Sequence, residues 1–158
     1  IAIIGTMAGI THWFPKMFGR QMNEFWGRVH FWVTIIAFNC IFIPLFVLGA
    51  GGQHRRIYDF QNYPDLAGQS MVDMRVFATI SLVVMLVAQF IFIINFIYSA
   101  FRGEKVGRNP YHATTLEWVA PSPPGHGNFE EMPTVYRGPY EYSVPGREED
   151  YWPQHVPN

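Results

Sequence analysis

Two adjacent arginines, Arg55 and Arg56, stand in the stretch GAGGQHRRIYDF between two long apolar runs. A guanidinium stays charged at any physiological pH and presents a planar fork of donors. Two in succession, just outside a helix end, suit a pair of carboxylates or a phosphate cluster. They suit lipid headgroups, or an ordinary topology signal beside a membrane segment, equally well. His54 abuts the pair. Gly49, Gly51 and Gly52 precede it and allow positive φ and close approach of a partner, although a plain helix stop also accounts for them.

The remaining polar candidates lie inside the apolar runs. Thr34, Asn39, Gln89 and Asn95 are expected to face a bundle and hydrogen-bond to neighbours. Pro44 is expected to kink its helix. His12, His30, His54, His112, His126 and His155 include no pair at metal-ligand spacing, so no metal site and no catalytic residue is assigned. Cys40 is the single cysteine, which excludes a disulfide framework.

Elements that position these residues follow from hydropathy. Val29–Ala50 carries no formally charged side chain over 22 residues, and Val76–Phe101 none over 26. About 20 apolar residues as a helix cross the hydrocarbon core, and neither run alternates as a barrel strand does. Residues 1–14 are apolar but too short to cross alone. They read as the second half of a crossing helix that ends near Pro15 and Gly19. The chain shows no basic leader or cleavage pattern, so no signal peptide is read. The expected organisation is a loop at 15–28, a helix at 29–50, an arginine-bearing loop at 51–75, a helix at 76–101 and a tail at 102–158. Lys16, Arg20 and Arg28 then share a side with Arg102, Lys105 and Arg108, which suits the negative side of the membrane, although with Arg55 and Arg56 in the opposite loop the lysine and arginine count alone hardly decides it.

Charged residues make up 15% of the 158 and the net charge is −1, which gives no reason to expect nucleic acid. Nine of the twelve prolines fall after residue 101. The tail should therefore run as extended or turn structure. Trp118, Phe129, Tyr136, Tyr140, Tyr142, Tyr151 and Trp152 mark it as a strap packed along protein surface rather than a free linker.

Taken together, THWFPKMFGRQMNE, VHFW with its later FN, RRIYDF after a glycine-rich helix end, NPYHATTLEWVAPSPPGHGNF and MPTVYRGPYEYSVPG resemble the C-terminal portion of subunit I of haem–copper cytochrome c oxidase. The resemblance implies an all-α membrane protein. It would hold the end of one transmembrane helix and two full ones of a twelve-helix bundle, the tenth, eleventh and twelfth, followed by the extended tail. It implies that Arg55 and Arg56 bind haem propionates, with His54, Asn39, Phe42, Gly49 and Gly51 near the haem. Positive charge there favours reduced iron. The haem would be of the a type, shared with the rest of subunit I, and the haem–copper centre would be held by residues outside this chain. The chain would then be one part of a divided subunit I.

Implied partners are the N-terminal part of subunit I, subunits II and III, cytochrome c as electron donor, and membrane lipid. The implied location is an energy-transducing inner membrane, mitochondrial or bacterial. A quinol oxidase of the same superfamily, or a non-catalytic membrane scaffold, are the alternatives. Two departures bear on the site. Pro44-Leu45-Phe46 stands where the family commonly has Pro-Gln-His, and Gln53-His54 where Met-Pro is usual. His54 is expected to restore the missing donor.

Overall fold

Long apolar runs without strand alternation satisfy their backbone only as helices, and the computed structural model shows three α-helices among the residues it describes. It describes residues 2–59, 62–64, 67–129 and 131–157. The helices are α1 (Ala2–Phe18), α2 (Glu24–Ala50) and α3 (Gln69–Arg102). A minimal antiparallel ladder joins β1 (Arg20–Gln21) to β2 (Glu104–Lys105), pairing Arg20 with Lys105.

The helices run beyond the uncharged stretches. α1 continues through Pro15, because proline fixes φ in the helical range and forgoes only one ladder bond. The Gly19 amide then donates to the Pro15 carbonyl at 2.8 Å and closes the helix. α2 begins at Glu24, ahead of Val29. Glu24 suits the positive end of the helix dipole and pairs with Arg28 one turn on. α3 begins at Gln69, ahead of Val76, where the Gln69 amide donates to Asp73 at 2.7 Å. A run free of charge marks the apolar centre of such a helix; its charged first turns are helical too.

Residues fall into two compact units, Glu24–Asn95 and Ile1–Asn23 with Phe96–Asn158. In the first, α2 and the greater part of α3 form an antiparallel hairpin. Buried positions on α2 are His30, Thr34, Ala37, Ile41 and Leu48, mostly three or four apart. On α3 they are Ala78, Ser81, Ala88, Phe92 and Asn95. That spacing is the seam of helices that pack along their length. The Gln89 amide joins the two sides. Its Oε1 faces His30 Nε2 at 3.3 Å, and its Nε2 donates to Thr34 Oγ1 at 3.3 Å and to the Met85 carbonyl at 2.9 Å. The outward faces stay bulky and apolar, with Trp32, Ile36, Phe46, Phe90 and Ile94 exposed. Both helices are long and apolar enough to cross a membrane.

In the second unit Phe14, fully buried, packs against Phe18 and Phe96. Gly103 follows α3 where a Cβ would come within 2.5 Å of the Ser99 carbonyl oxygen and 2.6 Å of the Gln21 carbonyl oxygen. The tail holds one described 3-10 turn, Leu116–Trp118, and otherwise no regular helix or strand beyond β2 among the described residues. It docks on the end of α1. Lys16 Nζ donates to the carbonyls of Arg108 (3.0 Å) and Ala120 (2.6 Å) and lies over the Trp118 ring. His12 stacks on Tyr111 and meets Trp118 edge-on. Farther along, Gln154 takes the Tyr136 amide, donates its own amide to Thr114, and donates Nε2 to the Arg137 carbonyl. Arg137 in turn donates to the carbonyls of Pro153 and Val156. The aromatic tail is thus tied back on itself through backbone carbonyls.

Candidate functional site

The end of α2 sets the arginine pair in place. The Gln53 amide donates to the Leu48 carbonyl at 3.0 Å and the Gly52 amide to the Gly49 carbonyl at 3.1 Å. Those two bonds, with Gly52 at φ +95°, make a Schellman stop. Only glycine adopts that φ without strain, so a stop of this kind requires it at residue 52. The chain leaves the stop as a turn in which Arg56 itself is left-handed, at φ +63°. A non-glycine residue there costs energy.

Stop and turn enclose a groove of about 680 Å³ within the Glu24–Asn95 unit. Its wall is Phe42, Ile43, Leu45 and Phe46; its mouth is Gln53, His54, Arg55, Arg56 and Ile57. Gly49 lines it without a side chain, and a Cβ there would meet no other atom within 4 Å. None of the described lining residues is acidic. Arg55 and Arg56 are exposed, and neither has an ion-pair or hydrogen-bond partner among the described residues. Two cations with no counter-ion among the described residues, at the mouth of an apolar groove, suit an anion attached to an apolar body. The wall suits a flat hydrophobic ring system, and the two forks suit its carboxylates.

Of the residues singled out by sequence, the groove gathers Phe42, Gly49, His54, Arg55 and Arg56. Asn39 lies one turn before Phe42 on the same outward stripe and does not line it; its amide donates to the Ile35 carbonyl at 2.8 Å. Gly51 is not a lining residue either; a Cβ there would come within 2.8 Å of Met71 Cε. Gln53 and Ile57 were not anticipated. Nor was Arg75 on α3, whose Nε donates to Gln53 Oε1 at 3.1 Å. No sequence signal links Gln53 to a residue 22 positions away. Among the described residues, no group of three or more His, Cys, Asp or Glu is placed to hold a metal ion.

Comparison with known proteins places this chain in a family. The profile described as Cytochrome C and Quinol oxidase polypeptide I matches residues 1–87. The chain is 41% identical over 157 residues to the alternative cytochrome c oxidase subunit 1 of Bradyrhizobium diazoefficiens, covering 98% of this chain and 26% of that protein. It is 43% identical over 139 residues to cytochrome c oxidase subunit 1 of Synechocystis, covering 87% of this chain and 24% of that protein. It is 37% identical over 133 residues to the cytochrome bo(3) ubiquinol oxidase subunit 1 of Buchnera aphidicola, covering 84% and 20%. The chain thus spans about a quarter of the length of these curated relatives. It belongs to the cytochrome c and quinol oxidase polypeptide I family.

Proposed function

We propose that this chain forms the arginine-bearing, C-terminal region of subunit I in a terminal respiratory oxidase, a complex that passes electrons from cytochrome c to oxygen and pumps protons. The observation that carries the reading is the groove, with its apolar wall and two guanidinium groups that have no counter-ion among the described residues. The group proposed for it is a haem of the a type, which when bound supplies one-electron transfer.

The chain's own residues hold and tune that group. Arg55 and Arg56 take the propionate carboxylates, whose charge would be costly to leave unpaired at a membrane edge. His54 adds a donor beside them. Phe42, Ile43 and Phe46 exclude water, and Gly49 leaves room where a side chain would intrude. Asn39 continues the same helix face. No residue of this chain is assigned a metal; the haem–copper centre belongs to the rest of subunit I. Partners in this reading are the remainder of the twelve-helix bundle, subunits II and III, cytochrome c and lipid, in an energy-transducing inner membrane of bacterial or mitochondrial kind. A quinol donor is the second reading, favoured by the similarity to a ubiquinol oxidase subunit. Oxidation of reduced cytochrome c or of a quinol by the purified complex separates the two.

The site is tested by Arg55→Gln and Arg56→Gln in the assembled oxidase. Loss of one positive charge should shift the haem reduction equilibrium toward the oxidised form by roughly tenfold, the scale of about 1.4 kcal/mol. An assembled complex with unaltered haem spectrum and potential in both variants would overturn the reading.

A further inference from the structure

We propose that Arg75 is a positioning residue for the arginine mouth: through Gln53 it fixes the turn that presents His54, Arg55 and Arg56. The inference rests on the reading of the groove as a propionate site, and adds to it a control from the other helix of the hairpin.

The argument starts from how the turn is attached. Gly51 and Gly52 lie between α2 and the arginines, and two glycines in a row make a soft joint. The backbone amides of Gly51, Gly52 and Gln53 donate to the Val47, Gly49 and Leu48 carbonyls, so the joint's first attachment is to the end of α2 alone. Bonds confined to that helix end do not fix the direction of the chain beyond Gln53. The second attachment is the Gln53 side chain, whose Oε1 accepts from Arg75 Nε at 3.1 Å. A hydrogen bond with a charged donor belongs to the stronger class. Residue 53 is therefore tied by its backbone to α2 and by its side chain to α3, and the three residues that follow inherit a fixed starting direction.

The first turns of α3 are built as a buttress. Met71 and Arg75 are one helical turn apart and so share a face. Met71 Cε lies where a Gly51 side chain would be, and Arg75 reaches Gln53. The same face of α3 thus backs both the joint and the residue beyond it. Arg75 has a further contact besides this bond, so its guanidinium is not a dangling donor. Arg75 is not among the residues lining the groove, whereas Gln53 is. Its effect on a bound carboxylate must travel through Gln53 and the turn.

The position matters because Arg56 holds a left-handed backbone at φ +63°. A turn released at Gln53 would relax to a lower-energy conformation and carry both guanidinium groups off the mouth.

The test uses the assembled oxidase carrying Arg75→Met, Gln53→Met, the double variant, Arg75→Lys, and Arg55→Gln as reference. Haem midpoint potential and Soret position are read alongside complex yield. Each of Arg75→Met and Gln53→Met should lower the reduction equilibrium about two- to fivefold, in the direction of Arg55→Gln and by less. A tenfold change is about 59 mV for a one-electron couple. The double variant should shift no further than the larger single, since both remove one strut. Arg75→Lys, which keeps a donor, should recover part of the shift, and it carries the test with Gln53→Met if Arg75→Met fails to assemble.

Additive shifts in the double variant would overturn the proposal, because Arg75 would then act by its charge alone. So would unchanged potentials in Arg75→Met and Gln53→Met beside a shifted Arg55→Gln, an outcome that leaves the propionate reading standing. Potentials unmoved in all variants, Arg55→Gln included, would remove that reading and this inference with it.

Discussion

His30 and Gln89 are hydrogen-bonded across the helical hairpin, ring Nε2 to amide Oε1 at 3.3 Å, with His30 buried. In an apolar setting a polar group left without its partner costs the full desolvation of that group, about 1–3 kcal/mol. Gln89→Leu strips the partner from His30 and from Thr34 together. It should lower the thermal stability of the assembled complex by that order. His30→Phe added to Gln89→Leu should recover part of the loss, because only Thr34 is then left without its partner. A melt in which the double variant is no better than Gln89→Leu alone counts against the pairing.

Gly49 faces groove space with no atom within 4 Å of a Cβ position. Gly49→Leu should leave the helix intact, since leucine is the better helix former, and fill the groove instead. The expected outcome is a complex that assembles with haem content or Soret position altered, read by pyridine haemochrome and absorption spectra. Normal haem in a normally assembled Gly49→Leu complex would place the bound group elsewhere.

Gly103→Ala should destabilise the junction between α3 and the tail. The atoms a Cβ would meet at 2.5 and 2.6 Å are both backbone oxygens, of Ser99 and Gln21, and backbone cannot swing aside as a side chain does. A cost of about 2 kcal/mol or more is expected for such overpacking. Limited proteolysis should show faster cleavage just after Arg102 in the variant.

Lys16→Met removes a donor shared by two tail carbonyls and a cation lying over Trp118. A loss of about 1–3 kcal/mol from the tail's docking corresponds to roughly five- to hundredfold more frequent local opening. Hydrogen exchange at residues 108–120 is the direct readout; unchanged protection there would mean that Lys16 contributes little to docking.

Tyr111 gives the docked tail a pH dependence. Burial raises the pKa of its phenol above the ordinary value near 10. Above pH 10 the released tail would lose this proton more readily than the docked tail. The contribution to docking is therefore complete below about pH 10 and is lost as pH rises through the docked-state pKa. Tyr111 is partly exposed, so the change is small. Proteolysis of the tail between pH 8 and 11 should rise less steeply in Tyr111→Phe than in the parent.

The arginine pair and His54 stood out in sequence because they are adjacent in one turn after a glycine-rich helix end; Phe42 and Gly49 were named only through the family resemblance, and the structure places all five along one groove. Departures came where a charged or polar side chain works over distance. Lys16 reads as a topology charge, yet its ammonium is spent on carbonyls 92 and 104 residues away. Gln89 reads as a residue with some partner in a bundle, but nothing in its neighbours names His30. Arg75 falls in what reads as loop, because a stretch bearing Asp73 and Arg75 is not apolar, although it is helical. Periodicity and turn chemistry report on neighbours along the chain; long polar side chains choose partners by the fold.

α3 has 34 residues, about 51 Å at 1.5 Å per residue, against a hydrocarbon layer of about 30 Å. Its uncharged stretch alone, 26 residues, is about 39 Å. A rod that outmeasures its solvent slab must lean or thicken the slab around it. If the end bearing Arg75 takes up that lean, acyl-chain length becomes a mechanical input to the arginines. Reconstitution into thin and thick bilayers, with haem potential followed in each, reads that input directly.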